Sequence, residues 1–429
     1  MAKNKKRWLL LFVICLGGGI IYILPYLQYS FYDVMQADFG ISNEQMGNLM
    51  SVYGLLNLLG YLFGGIVADR ISYKALIPVS LVLTGVLGFW FAASPSYTEL
   101  MIIHVLWAVT TVLTYFPAMT KAVKQLGADE EQGRIFGLKE AGFSLLAFIF
   151  SSVGIAIFTA AGDDINALLI FYSILYVVIG ILSWIFLPKD ENVVHGKQKR
   201  DSGDSLWMGI KAVLKQPGFW LLGFMMFCAY ALTVSAARMV PYLTSNFAVA
   251  AGIAAFIGSV RTYGIQYIGN IGGGFVVDKL GSAVSTMKYN FLICAALLLV
   301  LILIPAQQSL LYLVITVVLL ASLFIQAFRG IYWASLPLLD IPEKYMGTAI
   351  GMLGVMAYVP DAFILTIYGK ILDANVDAVE AGYKYIFGIM IGLALVGFIL
   401  AFIFDKTNKK KKVVKSTGKQ DDIAQPARS

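Results

Sequence analysis

The sequence predicts an all-α membrane protein, on three observations. Apolar residues make up 59% of the 429 residues and charged ones only 13%, where a soluble domain carries about a quarter; most side chains must therefore face lipid or other apolar helices. The apolar residues come in runs of roughly 20, the length an α-helix needs to cross a bilayer. Alternating segments of about ten residues, which would build a transmembrane β-barrel, do not occur.

The chain starts "MAKNKKRWLLLFVICLGGG", a basic stretch and an apolar one as in a signal peptide. The apolar run continues to Leu27 without an A-x-A-like site, so it reads as an uncleaved first span. Five further spans follow at 46–68, 75–93, 100–123, 135–160 and 167–187, the first covering 8–31. A second set of six covers 218–243, 250–277, 289–304, 310–336, 346–372 and 383–404. The expectation is twelve transmembrane helices in two pseudo-symmetric six-helix bundles, residues 1–187 and 217–404. Between them lies a charged linker, 188–216, in which His195 reads as solvated; a basic tail, 405–429, follows the second bundle.

The net charge of +7 does not indicate a nucleic-acid partner, because the basic residues collect at the termini and in alternate loops. Arg70, Lys74, Arg134, Lys197, Lys199, Arg200, Lys279 and Lys344 fall on one side with both tails. Asp33, Asp38, Glu44, Glu99, Asp163, Asp164, Asp377 and Glu380 fall on the other, with Lys384 the one clearly basic exception. Basic short loops stay in the cytoplasm, so both termini are expected there, in a multi-pass protein of the cell membrane. Cys15, Cys228 and Cys294 lie in apolar spans with no short spacing, which suggests neither a zinc motif nor a disulfide framework. No cofactor is expected.

Two loops repeat. Sliding the chain by about 209 residues sets Gly65 on Gly274, Asp69 on Asp278 and Arg70 on Lys279; a nearby offset sets "GRIFG", from Gly133, on "GTAIG", from Gly347. Matches at similar offsets, each at a corresponding loop, imply a duplicated bundle of the kind found in transporters. At Gly65, Asp69, Arg70 and Lys74 the chain resembles the major facilitator superfamily, matching its G-x-x-x-D-R-x-G-R-K signature between the second and third helices. Ser72 stands where the signature has its second Gly and Tyr73 where it has an Arg; the second copy keeps Gly274, Asp278, Lys279 and Gly281. The resemblance implies that Asp69 caps the start of the eleventh helix, near Met346, bracing the two halves while the cytoplasmic side is closed. A carboxylate is stabilised at the positive N-terminus of a helix.

Ionisable residues inside the membrane cost about 3 kcal/mol each on insertion scales, so their placement is informative. Spans three, six, nine and twelve carry no charge away from their ends. Lys121 lies in the fourth, Lys139 and Glu140 in the fifth, Arg238 in the seventh, Arg261 in the eighth, Arg329 in the tenth and Asp361 in the eleventh. In the fold that the chain resembles, the charge-free four are outer supports and the others surround a central cavity.

Arg261 lies roughly 16 Å into its span, near the midplane, and is the first candidate to bind an anionic substrate; the alternative is a structural pair with Asp361. Asp361 is the candidate proton carrier, because burial disfavours a charged carboxylate and a nearby cation favours it. Arg329 and Lys121 lie toward the cytoplasmic ends as further substrate contacts or snorkelling cations. Glu140 and Lys139, adjacent and so pointing about 100° apart, suit an ion pair with the opposite half better than substrate contact. Arg238, before Pro241, suits the rim, and His104 a packing role.

Tyr22, Tyr26, Tyr29 and Asp33 recur at helical spacing on one face of the first helix, where Tyr26 and Tyr29 suit a polar organic solute. Pro25, Pro117, Pro241 and Pro360 each remove a backbone hydrogen bond and allow a bend. With no G-x-x-x-x-G-K-[ST], no H-E-x-x-H and two distant histidines, an enzyme is not expected. The expected function is alternating-access transport of a small anionic or polar organic solute, as symport with protons or antiport against a counter-substrate, by a functional monomer. An organic-phosphate-type exchanger and a transport-inactive sensor on the same fold are the alternatives.

Overall fold

The computed structural model describes residues 2–126, 131–188 and 206–423. His195, Lys197, Lys199 and Arg200, with most of the 188–216 linker and the end of the tail, lie outside the described residues. Within them the chain is helical, with no strand. In order the α-helices are α1 (Ala2–Ile20), α2 (Tyr32–Phe39), α3 (Asn43–Arg70), α4 (Tyr73–Phe91), α5 (Tyr97–Ala108), α6 (Phe116–Lys124), α7 (Gln132–Ala160), α8 (Ile165–Phe186) and α9 (Leu206–Leu214). They continue as α10 (Pro217–Ser235), α11 (Met239–Phe247), α12 (Ala251–Ser259), α13 (Gln266–Leu280), α14 (Ala283–Leu303), α15 (Leu311–Tyr332), α16 (Glu343–Tyr358), α17 (Ile364–Asp373) and α18 (Val379–Ile423).

Joined through their bends, these give ten helices among the described residues that are long and apolar enough to cross a membrane, where the sequence led us to expect twelve. The two shortfalls have local causes. The first expected span stops as a helix at Ile20, after three consecutive glycines, and passes Pro25 in a turn before the 3-10 turn Leu27–Tyr29 and α2. The eighth, whose helices α12 and α13 flank the π-segment Val260–Ile265, falls short in apolarity, because Arg261, Gln266, Asn270 and its glycines dilute its apolar residues.

The helix starts follow from short polar residues. Ser42 with Gln45, and Ser96 with Glu99, form capping boxes at α3 and α5, each satisfying two N–H groups that a helix start leaves unpaired. Ser72, which departs from the signature, caps α4 by accepting from the Lys74 N–H at 3.2 Å. Ser282 caps α14 in the same way, taking the Ser285 N–H at 3.2 Å after Gly281 has turned the chain with φ 64°. Both copies of the motif thus end in a serine that caps the next helix, after an extended Ile71 in the first and a left-handed Gly281 in the second.

The charge-free helices pair with one another, α4 on α8 and α14 on α18. Unwound turns fall instead in the charge-bearing spans: Arg238 closes the 3-10 turn Ala236–Arg238, Arg261 sits in the π-segment, and Asp361 in the 3-10 turn Val359–Ala362. Helices from the two sides of the 189–205 segment meet tightly at one end of the molecule, the end bearing Asp373. There α3 packs along α17, α7 against α12 and α2 against α11. Gly47 of α3 lies against the Leu365 and Thr366 backbone so closely that any side chain would collide. At the other end, bearing Asp69, the helices part. Gly65 of α3, Gly137 of α7, Gly274 of α13, and Gly347 and Gly351 of α16 have no atom within 4 Å of where a side chain would start.

Candidate functional site

Four helices after residue 205 bring the central charges together. Arg261, 2% exposed, bonds through Nη2 to Thr262 Oγ1 at 3.2 Å, and its Nε has no partner. With its amide oriented so that both neighbours are satisfied, the Gln266 side chain, one turn further on, donates to the Thr262 carbonyl at 2.9 Å and accepts from Arg329 Nη1 at 3.1 Å. Arg329 in turn lies over the Tyr230 ring, 5.7 Å from its centroid, with its own Nε unpartnered. The Tyr230 hydroxyl donates to Asp361 Oδ2 at 2.7 Å. A continuous polar chain, Arg261–Thr262–Gln266–Arg329–Tyr230–Asp361, therefore links two guanidiniums to one carboxylate.

Neither arginine makes an ion pair among the described residues, and Asp361 is held by Tyr230 and not by Arg261. Guanidinium stays protonated at any ordinary pH, so the cluster carries one more positive than negative charge in a setting that desolvates it. The π-segment explains how Arg261 gets there: one wide turn re-aims the side chain without a proline, and such bulges are frequent at functional sites.

The facing wall comes from residues before 189 and is made of tyrosines. Tyr22 and Tyr26 have ring centroids 6.2 Å apart, Tyr26 and Tyr29 5.1 Å, and Tyr26 and Tyr53 5.4 Å. Tyr61 packs at a tilt on Tyr358, with centroids 5.6 Å apart, and Tyr358 meets Tyr230 edge-to-face at 4.7 Å, which carries the aromatic contact across to the charged side. Tyr29 lies in the field of Asp361, Arg261, Arg238 and Arg329, and Tyr26 in that of Asp361. The expected single helical face of Tyr22, Tyr26, Tyr29 and Asp33 is replaced by a broken segment. Its turns still gather the three tyrosines, but Asp33 points away to accept from Thr244.

The other candidates stand apart from this cluster. Lys121 donates to the Ala68 carbonyl at 3.0 Å, fastening α6 to the end of α3. Lys139 and Glu140 pair with each other at 2.5 Å, although adjacent, because the lysine side chain lies between Phe136 and Phe143 and folds back. The expected bridge from Glu140 to the opposite half is not formed among the described residues. Arg238, 1% exposed, is no rim residue: it stacks 4.3 Å over Tyr32 and donates to the Leu365 carbonyl at 3.2 Å. His104 bonds through Nδ1 to the Leu100 carbonyl, 2.8 Å away, and packs on Trp107. The motif residues Gly65, Asp69, Arg70, Gly274, Asp278 and Lys279 lie at the parted end, where Asp69, Arg70, Asp278 and Lys279 are exposed, and Lys74 is half-buried there. No group of three or more His, Cys, Asp or Glu side chains among the described residues is placed to hold a metal.

Gln266 and Tyr230 were not legible as site residues, since an amide and a tyrosine within apolar spans raise no cost that singles them out.

Comparison with known proteins agrees with this architecture. The chain is 30% identical over 413 residues to the inner membrane protein YihN of Escherichia coli strain K12, covering 95% of this chain and 98% of that one. It is 26% identical to the inner membrane protein YqcE of the same strain, over 94% of this chain and 95% of the other. Among solved structures it is similar to a bacterial homologue of the human lysosomal transporter Spinster, crystallised in an inward-facing and unoccupied conformation. The TM-score is 0.73 at 13% identity, over 94% of this chain and 98% of that one. The family model described as Major Facilitator Superfamily matches residues 7–365. Helices that pair and part in this pattern, around a buried charged cluster, thus belong to a membrane-embedded transporter of small solutes and not to an enzyme: the chain is a member of the Major Facilitator Superfamily.

Proposed function

We propose that this transporter moves a small organic anion by alternating access, binding it between Arg261 and Arg329 on one side and the Tyr26 and Tyr29 wall on the other. The observation that carries this reading is the buried Arg261 guanidinium with an unpartnered Nε and, among the described residues, no carboxylate beside it. A buried charge left without a counter-ion is costly, and a solute carboxylate or phosphate supplies bidentate hydrogen bonds that match it.

Asp361 is the proton carrier in this reading. Its protonation removes the one negative charge of the network, which strengthens the pull on an anion, so proton and anion load together. Residues 1–187 and 217–404 act as the two rocking halves of a monomer. The Asp69 end faces the cytoplasm with both termini, as the loop charges favour, and the parted glycines at that end give the site its access in this state.

The test is uptake into proteoliposomes holding the purified chain, with an imposed pH gradient and a panel of labelled organic anions. Anion-dependent proton entry that is lost in Arg261→Gln supports the reading. Uptake restricted to cations or neutral solutes overturns it.

A further inference from the structure

We infer that Asp373 is a positioning residue for the transport cycle: a carboxylate at the end of α17 that latches the start of α3 and holds that end of the molecule shut. The inference rests on the alternating-access reading above, but on different residues. Asp373 Oδ1 accepts from the Asn43 backbone N–H and from Asn43 Nδ2, both at 2.9 Å, and Oδ2 accepts from the Glu44 N–H at 2.8 Å.

Those two backbone groups are the first of α3. A helix start leaves its leading N–H groups without intrahelical partners, and the cap residue Ser42 takes only that of Gln45, at 3.2 Å. The first two are left for Asp373, some 330 residues away in the chain. Asp373 is also the last residue of α17, where its charge opposes the dipole of its own helix and suits the start of α3. Its position is unfavourable locally and favourable only across the interface.

Neighbouring contacts make the latch part of a closed face. The Tyr32 hydroxyl donates to Asn43 Oδ1 at 2.9 Å, and Tyr32 carries Arg238 on its ring. Lys370 pairs with Glu44 at 3.4 Å. One and two turns deeper, Thr366 donates to Asn48 at 2.9 Å and shares a hydrogen bond with Ser51 at 2.8 Å. The bonds from Asp373, Lys370 and Thr366 to α3 cross the interface and must break for the Asp373 end to open, and three of the charge-assisted ones centre on the Asp373 side chain. At the far end of the same α3, Asp69 is exposed.

The experiment uses the full chain with Cys15, Cys228 and Cys294 changed to alanine, and two readouts that need no solute. Oxidative crosslinking of a Ser51→Cys/Thr366→Cys pair reports closure at the Asp373 end. Spin labels at Ile71→Cys and Leu280→Cys report separation at the other. Asp373→Asn is expected to slow crosslinking on the order of tenfold, the factor that about 1.4 kcal/mol sets, and to shift the spin-label distances shorter. Asp373→Glu restores most of the rate. Asn43→Ala, which removes one donor and keeps the carboxylate, slows it roughly threefold and carries the test if Asp373→Asn does not fold. Unchanged crosslinking and distances in both variants overturn the inference, whereas failure to transport any anion overturns the proposed substrate and leaves these readouts standing.

Discussion

Replacing Arg261 by methionine removes a charge while nearly keeping the length of the side chain, and its effect on stability follows from what the guanidinium touches. Inserting a charge at the centre of a membrane helix costs about 3 kcal/mol. Against that, Arg261 gains one hydrogen bond, to Thr262 at 3.2 Å, contributing about 1 kcal/mol. No carboxylate among the described residues repays the remainder. Arg261→Met should therefore stabilise the empty protein by about 1–2 kcal/mol, and should abolish anion transport at the same time. Reversible unfolding of the purified protein in mixed SDS micelles measures the first, proteoliposome uptake the second. A variant destabilised by more than about 1 kcal/mol would show that the guanidinium is a structural element of the fold, and the argument from an uncompensated cation would fail.

Three further outcomes are expected. Asp361→Asn should remove pH-driven uptake yet leave solute counterflow, since the amide still accepts from Tyr230 but no longer exchanges a proton; loss of both in a folded protein would make Asp361 structural. Gln266→Glu should pair with Arg329, which already donates to this side chain, and weaken anion affinity at least about tenfold, measured as the half-saturating concentration for uptake. Gly47→Val should prevent the close approach of α3 to the Leu365 backbone and destabilise the protein by roughly 2 kcal/mol or more, whereas Gly65→Ala, with open space around it, should lie within about 0.5 kcal/mol of the native chain in the same unfolding assay.

Much of the helical frame was legible because lipid imposes it. A run of apolar residues near 20 long has few alternatives, and ionic side chains are too costly to be scattered, so Arg261, Arg329 and Asp361 mark the interior by their position in the chain alone. The bends were legible where proline makes them, at Pro25 and Pro360 and at Pro117, which closely follows the π-segment Val109–Tyr115, and hidden at Val260–Ile265. That π-segment has no proline, and its residues carry no breaker signal strong enough to read.

What the sequence concealed depends on partners distant in the chain. Asp373 looks like one more acidic residue at a helix end, and its meaning appears only when the start of α3 is beside it. Lys139 and Glu140 misled for the opposite reason: helical geometry points adjacent side chains apart, but a long lysine returns to its neighbour once Phe136 and Phe143 enclose it. The polar chain through Gln266 and Tyr230 joins four helices, and no spacing within one of them reveals it.

The most direct measurement is a structure of the full chain determined with an anion that it transports. The account predicts ligand density whose charged group lies within about 3 Å of the guanidiniums of Arg261 and Arg329, with the remainder against Tyr26 and Tyr29. An anion that is transported but bound elsewhere, with both guanidiniums still unoccupied, would contradict it.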